Sequence, residues 1–301
     1  MNLSPPAQFR HLVAATLAFA SFSEHARAIV RRDNPDAPDS SYIALGSQAN
    51  FPASGFITAP NGALLGGTLI DPQYVLTVAH IQGDIIPGVT TFTIGGAPYV
   101  IAEQRPHPAF NSTGKFDNDI NVVRLTTAVT NVTPVPYNTV FPELGATATT
   151  IGYGETGTGL TGSISGSAGQ RRGAENTVDI FGDGVLFATT SFLADFDRPG
   201  RPQESTYGSV FPLPLEGTVA LFDSGGGVYA SFTNGPVLIG INSFTASSDG
   251  IPNNDYGDLF GATRVSLFSD YIVANIPEPS AGVLTIFGAI FAQCAARFRK
   301  R

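Results

Sequence analysis

The chain has 301 residues, 43% hydrophobic and 13% charged, with 34 Gly, 22 Pro and 22 Phe. This mix excludes a disordered chain, a coiled coil and a collagen, and the length suffices for one large core or two modest ones. Four cations (Arg297, Arg299, Lys300, Arg301) crowd the last five residues, so although the formal charge is −8, positions 29–275 hold ten cations against 22 anions, a net of −12. A body this acidic repels phosphate backbones and argues against nucleic acid as a partner, and the single cysteine, Cys294, leaves it no intrachain disulfide or cysteine-held metal cluster.

At the N-terminus, Arg10 and His11 precede an apolar stretch over 12–22, and Ala26-Arg27-Ala28 puts small residues where a signal peptidase cuts. Residues 1–28 therefore read as a secretory signal, with Ile29 the first mature residue. From there Gly and Pro punctuate short runs rich in Val, Ile, Thr, Phe and Leu, which favours strands over helices. The first half, 29–140, offers strands at 55–58, 63–70, 74–79, 91–94 and 120–125. A Pro-bearing stretch over 133–142 reads as a crossing linker. The second half, 141–275, offers strands at 146–153, 185–192, 219–222, 227–232, 237–244 and 262–265, and a closing helix over 266–275. Between them, 154–173 is dominated by Gly, Ser and Thr and reads as a mobile surface loop. The acidic pairs Asp195 with Asp197 and Asp255 with Asp258 lack the spacing of a calcium loop and read as solvated loops, so no metal and no cofactor is expected.

The chain ends on Pro277-Glu278-Pro279, an apolar run over 281–296, and the basic tail. Sixteen helical residues span about 24 Å, short of a hydrocarbon core of about 30 Å, so a permanent anchor would be marginal. The three-part layout of 276–301 resembles the bacterial PEP-CTERM sorting signal. That resemblance implies recognition by an exosortase, contact with the membrane only through this tail, and a destination in the cell envelope, surface or extracellular matrix.

Nucleophilic hydrolysis needs an attacking hydroxyl, an imidazole to take its proton, a carboxylate to fix the imidazole tautomer, and N–H donors for the oxyanion. Three contexts supply these in the order His, Asp, Ser. Gly66-Gly67-Thr68-Leu69-Ile70 is followed by Tyr74-Val75-Leu76-Thr77-Val78-Ala79-His80, Asn118-Asp119-Ile120 leads into Val122-Val123-Arg124-Leu125, and Asp223-Ser224-Gly225-Gly226 comes last. With His107-Pro108, Ile151-Gly152-Tyr153-Gly154, the run from Leu238 to Phe244 and Thr263-Arg264-Val265, they make 29–275 resemble the chymotrypsin-like (trypsin-family) serine proteases. The resemblance implies an all-β fold of two six-stranded antiparallel Greek-key barrels with a short C-terminal helix, and an endopeptidase acting on protein or peptide substrates.

Residue by residue, it implies Ser224 as nucleophile, His80 as general base and then acid, and Asp119 as the orienting carboxylate, with the backbone N–H groups of Phe222 and Ser224 as the oxyanion hole. His107 matches a structural position. Thr218 would form the base of the specificity pocket and Ser243-Phe244-Thr245 its wall, which favours small or medium apolar side chains before the cut bond. Signal cleavage would expose Ile29-Val30, whose new ammonium would pair with Asp223. The departures are Phe222, where the family has Gly, Gly227, where it has Pro, and Leu65 and Ile81, where it has the cysteines that bracket the catalytic His. Phe222 keeps a second reading open, a protease-like surface or matrix binding module without turnover; a purely structural matrix component would leave the three contexts unexplained.

Overall fold

Short β-branched and aromatic runs bury one face each and must close on themselves or pair, and the first half closes. The computed structural model describes residues 28–276 except positions 35, 141, 248 and 252. β1 (Val30–Arg31) and helix α1 (Asp39–Gly46) lead into β2 (Ser54–Thr58), β3 (Leu64–Asp71), β4 (Tyr74–Thr77), β5 (Thr91–Ile94), β6 (Ala97–Pro106) and β7 (Asn121–Leu125). These last six form a closed antiparallel barrel in the order β2-β3-β4-β7-β6-β5. Ile57, Leu69, Val75, Phe92, Ile101 and Val123 fill it. Gly55 and Gly67 face each other across β2 and β3 because the Phe92 ring lies on both; a Cβ at Gly55 would meet it at 2.6 Å. Leu65 and Ile81 are buried in this same core, so apolar packing stands at the two positions where the resemblance places cysteines.

The second half contains β8 (Thr147–Gly152), β9 (Thr156–Thr158), β10 (Gly162–Ile164), β11 (Arg172–Thr177), β12 (Ile180–Phe181), β13 (Ser191–Asp195), β14 (Gly217–Thr218), β15 (Gly227–Phe232), β16 (Gly235–Ala246) and β17 (Leu259–Arg264), then α2 (Ser269–Asn275). Seven of these strands make one curled sheet in the order β11-β8-β15-β16-β17-β13-β12. Where β11 and β13 approach, the Asn176 side chain bridges them, donating from Nδ2 to Asp195 O at 2.7 Å and to Gly217 O at 3.2 Å. The fold class is thus the one the sequence implied, with the second barrel completed by a side chain in place of a strand ladder. Helix α2 crosses back to the first barrel: Ile272 is buried in its core, Tyr271 donates to Arg105 O, and Arg105 donates to Asn275 O.

Four expectations are corrected. Residues 154–173 are not a loose loop: β9 and β10 pair there, and β9 runs parallel to β1. Their small residues are a packing requirement, since a Cβ at Gly157 would fall 1.8 Å from Gly162 O. The strand expected at 185–192 begins only at Ser191, because Asp183 Oδ1 accepts the N–H groups of Val185, Leu186 and Phe187 and holds a turn. No strand covers 219–222; β14 ends at Thr218 and a tight turn follows. Asp195, Asp197 and Asp258 are not solvated, with exposures of 1%, 3% and 1%. Backbone N–H groups from the next loop fold over them, as Thr206 and Tyr207 do onto Asp195 Oδ2.

Candidate active site

β4 runs between β3 and β7, and this pairing carries the chain through buried Val78 and Ala79 to His80 at the barrel edge. The start of β7 brings Asp119 beside it. His80 N–H donates to Asp119 Oδ1 at 2.8 Å, and His80 Nδ1 lies 2.7 Å from Asp119 Oδ2. Asp119 is fully buried and also held from the second sheet: Ser243 Oγ donates to its Oδ2 at 2.5 Å, and Thr263 Oγ1 to its carbonyl at 2.8 Å. On the other side of the imidazole, Nε2 is 2.9 Å from Ser224 Oγ. Residues from both halves thus form one continuous hydrogen-bonded line.

Ser224 is presented by a turn whose backbone bonds leave little freedom. Asp223 N–H donates to Ala220 O, Gly225 N–H to Asn242 O, Gly226 N–H to Asp223 O, and Gly66 N–H of β3 to Ser224 O at 2.7 Å. Gly225 has φ +84°, and a Cβ there would meet Thr77 Oγ1 at 2.2 Å, so only glycine fits. Gly66 is equally constrained, since its Cβ would lie 2.1 Å from Gly226 N. This is how two barrels approach closely enough to share one site.

Phe222 stands in the same turn at φ +75°, the third position of a type II arrangement that ordinarily takes Gly. The left-handed region costs a bulky residue about 1–2 kcal/mol. The Leu221 carbonyl accepts from Glu155 N–H at 2.8 Å. Because a trans peptide sets C=O and N–H on opposite sides, this bond aims the Phe222 N–H away from Glu155.

Asp223 is fully buried beneath this turn. It accepts from Gly154 N–H (2.7 Å), Ala220 N–H (2.9 Å) and Ile29 N–H (3.1 Å). Loss of water pushes its carboxyl up to about 6, against the pull of those N–H groups. Ala28 and Ile29 are both fully buried, and β1 docks between β9 and β14, with Val30 opposite Thr218. Thr218 itself is fully buried, and its Oγ1 has no hydrogen-bond partner.

Ser243, Phe244 and Thr245 lie along β16. The Phe244 ring stacks on Phe187 at 5.8 Å and lies 5.9 Å from Phe116, which meets the His80 ring edge-on at 5.6 Å. Phe116 and Phe187 are site neighbours that the sequence reading missed. Phe116, three residues before Asp119, was within reach of a local argument; Phe187, in a turn taken for a strand, was not. His107 sits apart, packed against Phe268 and Tyr271, with burial lowering its pKa. Pro277, Glu278 and Pro279 lie outside the described residues. No group of three or more His, Cys, Asp or Glu side chains among the described residues is disposed to hold a metal.

Residues 45–170 match the trypsin family model. The matched stretch holds the first barrel with His80 and Asp119 and stops short of Ser224. The whole fold is similar to that of HL collagenase, with a TM-score of 0.55 and 20% identity over 76% of this chain and 95% of that one. The fold is trypsin-like. No curated protein matches the chain.

Proposed function

We propose that this chain is an exported serine endopeptidase of the trypsin family. The observation that carries the reading is the line Ser224 Oγ, His80 Nε2, His80 Nδ1, Asp119 Oδ2, with separations of 2.9 and 2.7 Å at its two hydrogen bonds. Ser224 Oγ attacks the substrate carbonyl carbon while Nε2 takes its proton. Asp119 keeps the other ring proton on Nδ1 and stabilises the imidazolium. The oxyanion is received by the N–H groups of Phe222 and Ser224. The imidazolium then protonates the departing amine, and water activated by the same Nε2 hydrolyses the acyl-enzyme. None of these steps calls for a cofactor.

The floor of the pocket in this reading is Thr218, which offers a basic side chain no counter-charge. Glu216 is two residues away, but it is buried with both oxygens occupied by the N–H groups of Asp197 and Leu213. Peptides with Ala, Val or Leu before the cut bond are expected to be cleaved faster than those with Lys or Arg, and the Ser224→Ala variant should cleave none of them. A peptide-library digest read by mass spectrometry tests both. Preference for Arg would overturn the pocket assignment, and cleavage by Ser224→Ala would overturn the enzyme assignment.

A second reading, a binding module with weak turnover, is favoured by one observation, the strained Phe222. If its turn relaxes to negative φ, the 221–222 peptide reverses and the oxyanion donor is lost. Glycine removes the cost of the active form. Phe222→Gly is therefore expected to raise kcat by up to about tenfold, the equivalent of about 1.4 kcal/mol. An unchanged or lower kcat would show that the Glu155 bond already fixes the peptide.

The ends of the chain supply the addresses in this proposal. Residues 1–28 direct export and are removed by signal peptidase, and 276–301 form a PEP-CTERM signal handled by an exosortase, placing the enzyme in the bacterial envelope or matrix. The support is the order of basic, apolar and small residues at one end and of Pro-Glu-Pro, apolar run and basic tail at the other. Among the described residues no helix is long and apolar enough to cross a membrane.

A further inference from the structure

Behind the floor of the second sheet, the chain buries acid on acid. Asp195 ends β13, Asp197 follows two residues later, and Asp179 and Glu216 approach from the segments before β12 and β14; the exposures of Asp195, Asp197 and Glu216 are 1%, 3% and 2%. Their side-chain bonds mostly clasp the segment 196–216, while Asp179 Oδ2 accepts from Asp195 N–H at 3.2 Å. Asp195 Oδ2 accepts from Ser205 Oγ, Thr206 N–H and Tyr207 N–H; Asp179 Oδ1 from Ser209 N–H; and Glu216 from Asp197 N–H and Leu213 N–H. Asp195 Oδ1 and Asp197 Oδ1 are buried without any hydrogen-bond partner. No ion pair among the described residues includes any of the four.

The surrounding charged groups do not relieve them. From the clasped segment, Arg198 and Arg201 face Glu204, and the pKa of the Tyr207 hydroxyl is itself raised, first by burial and then by Asp183 and Asp195. From the β1 side, Arg32 donates to Leu213 O, and Arg31 faces Asp39. From β11, Glu175 accepts from Leu215 N–H, and ahead of β17 Asp258 and Asp255 add further acid. Three buried carboxylates and the half-buried Asp179, with no cation paired to any of them, cannot all be ionised in place.

We propose that the segment 196–216 is an acid-held strap, closed while this buried carboxylate cluster shares protons and released as the pH rises. The strap runs directly into β14, and Glu216 O accepts from Arg32 N–H and Tyr42 OH, so its release would loosen both Thr218 and the docking of β1. Burial pushes Asp197 to about 7, Asp179 to about 8 and Glu216 to about 9, with neighbouring carboxylates adding to each. The closed state thus binds more protons than the open one. Its stabilisation is fully present below the ordinary carboxylate range near pH 4 and is lost progressively as pH rises through those raised values.

The test is hydrogen exchange of the amides of 197–215 in the whole purified chain between pH 5 and 9, corrected for intrinsic exchange. With more than one proton released per opening, the opening constant should rise by about tenfold or more per pH unit. Asp197→Asn leaves every hydrogen bond named above in place and should flatten that slope by about one proton, provided its thermal unfolding at pH 5 matches the native chain. A pH-independent opening constant, or an unchanged slope in Asp197→Asn, overturns the proposal. So does abolition of the alkaline opening by about 5 mM Ca²⁺, which would assign the cluster to a metal cation instead of protons. The readout is structural, so a failed strap and a failed protease assignment are distinguishable.

Discussion

Asp119→Asn should lower kcat on a peptide substrate by about four orders of magnitude while leaving the fold intact; the loss measured for the same change in a well-characterised Ser-His-Asp enzyme sets that scale. The reason lies in what Asp119 accepts. It takes bonds from the His80 backbone N–H, from His80 Nδ1 and from Ser243 Oγ, and it offers no proton in return. An amide of the same shape has one acceptor and one donor. If its oxygen keeps the His80 backbone N–H, its NH₂ faces both Nδ1 and the Ser243 hydroxyl. Nδ1 must then act as an acceptor, the ring proton moves to Nε2, and Nε2 can no longer take the Ser224 proton. Hydrolysis should partly recover at high pH only if another group deprotonates Ser224. A steady-state assay with circular dichroism on the same sample checks the prediction, and a kcat within tenfold of native would contradict it.

One extra residue before Ile29 should lower kcat/KM by about two to four orders of magnitude, the scale of the roughly 3–5 kcal/mol lost when one partner of a buried ion pair is removed. With Ala28 in place, Ile29 presents an amide N–H to Asp223 Oδ2 at 3.1 Å, a neutral donor to a buried carboxyl. That carboxyl lies at about 6. Its neutral form is favoured in the folded uncut chain, so the contribution to stability is full below pH 4 and is lost as pH rises through 6. A free α-ammonium at Ile29 reverses this by supplying the missing charge. Its ordinary pKa of about 7.7–8.0 should rise on pairing, so the pair's contribution is full below the ordinary value and is lost as pH rises through the raised one. Between about pH 5 and 7.5 the uncut chain should therefore lose stability while the cut chain stays level. N-terminal sequencing, activity and thermal unfolding across pH together test this; full activity in the extended chain would contradict it.

Much of the site was legible because it is built from local words. Thr-Val-Ala-His, Asn-Asp-Ile and Asp-Ser-Gly-Gly each fix a turn or strand end within a few residues, and the fold brings those ends together. The first barrel was legible for a similar reason: 91–94 and 120–125 alternate or run apolar in the pattern of strands. β6 was missed because only Ile101 along it is fully buried, so its sequence reads as polar. α1 was missed because it is short and has no side-chain cap. The Gly-Ser-Thr segment deceived composition because close backbone approach and looseness use the same small residues. The buried carboxylates could not be foreseen, since it takes the three-dimensional return of 205–216 onto β13 to cover them. Phe222 shows the converse. The sequence flagged it as a departure, and only the structure shows its φ of +75° and the bond from Glu155 N–H to the Leu221 carbonyl.

The most direct measurement of the central claim is to treat the purified, processed chain with a fluorophosphonate and locate the adduct by peptide mass spectrometry. The account predicts a single phosphonylated residue, Ser224, with labelling absent in Ser224→Ala and slowed at least about a hundredfold in His80→Ala. Correctly folded native protein that stays unlabelled, or that is labelled at another serine with Ser224 untouched, would contradict it.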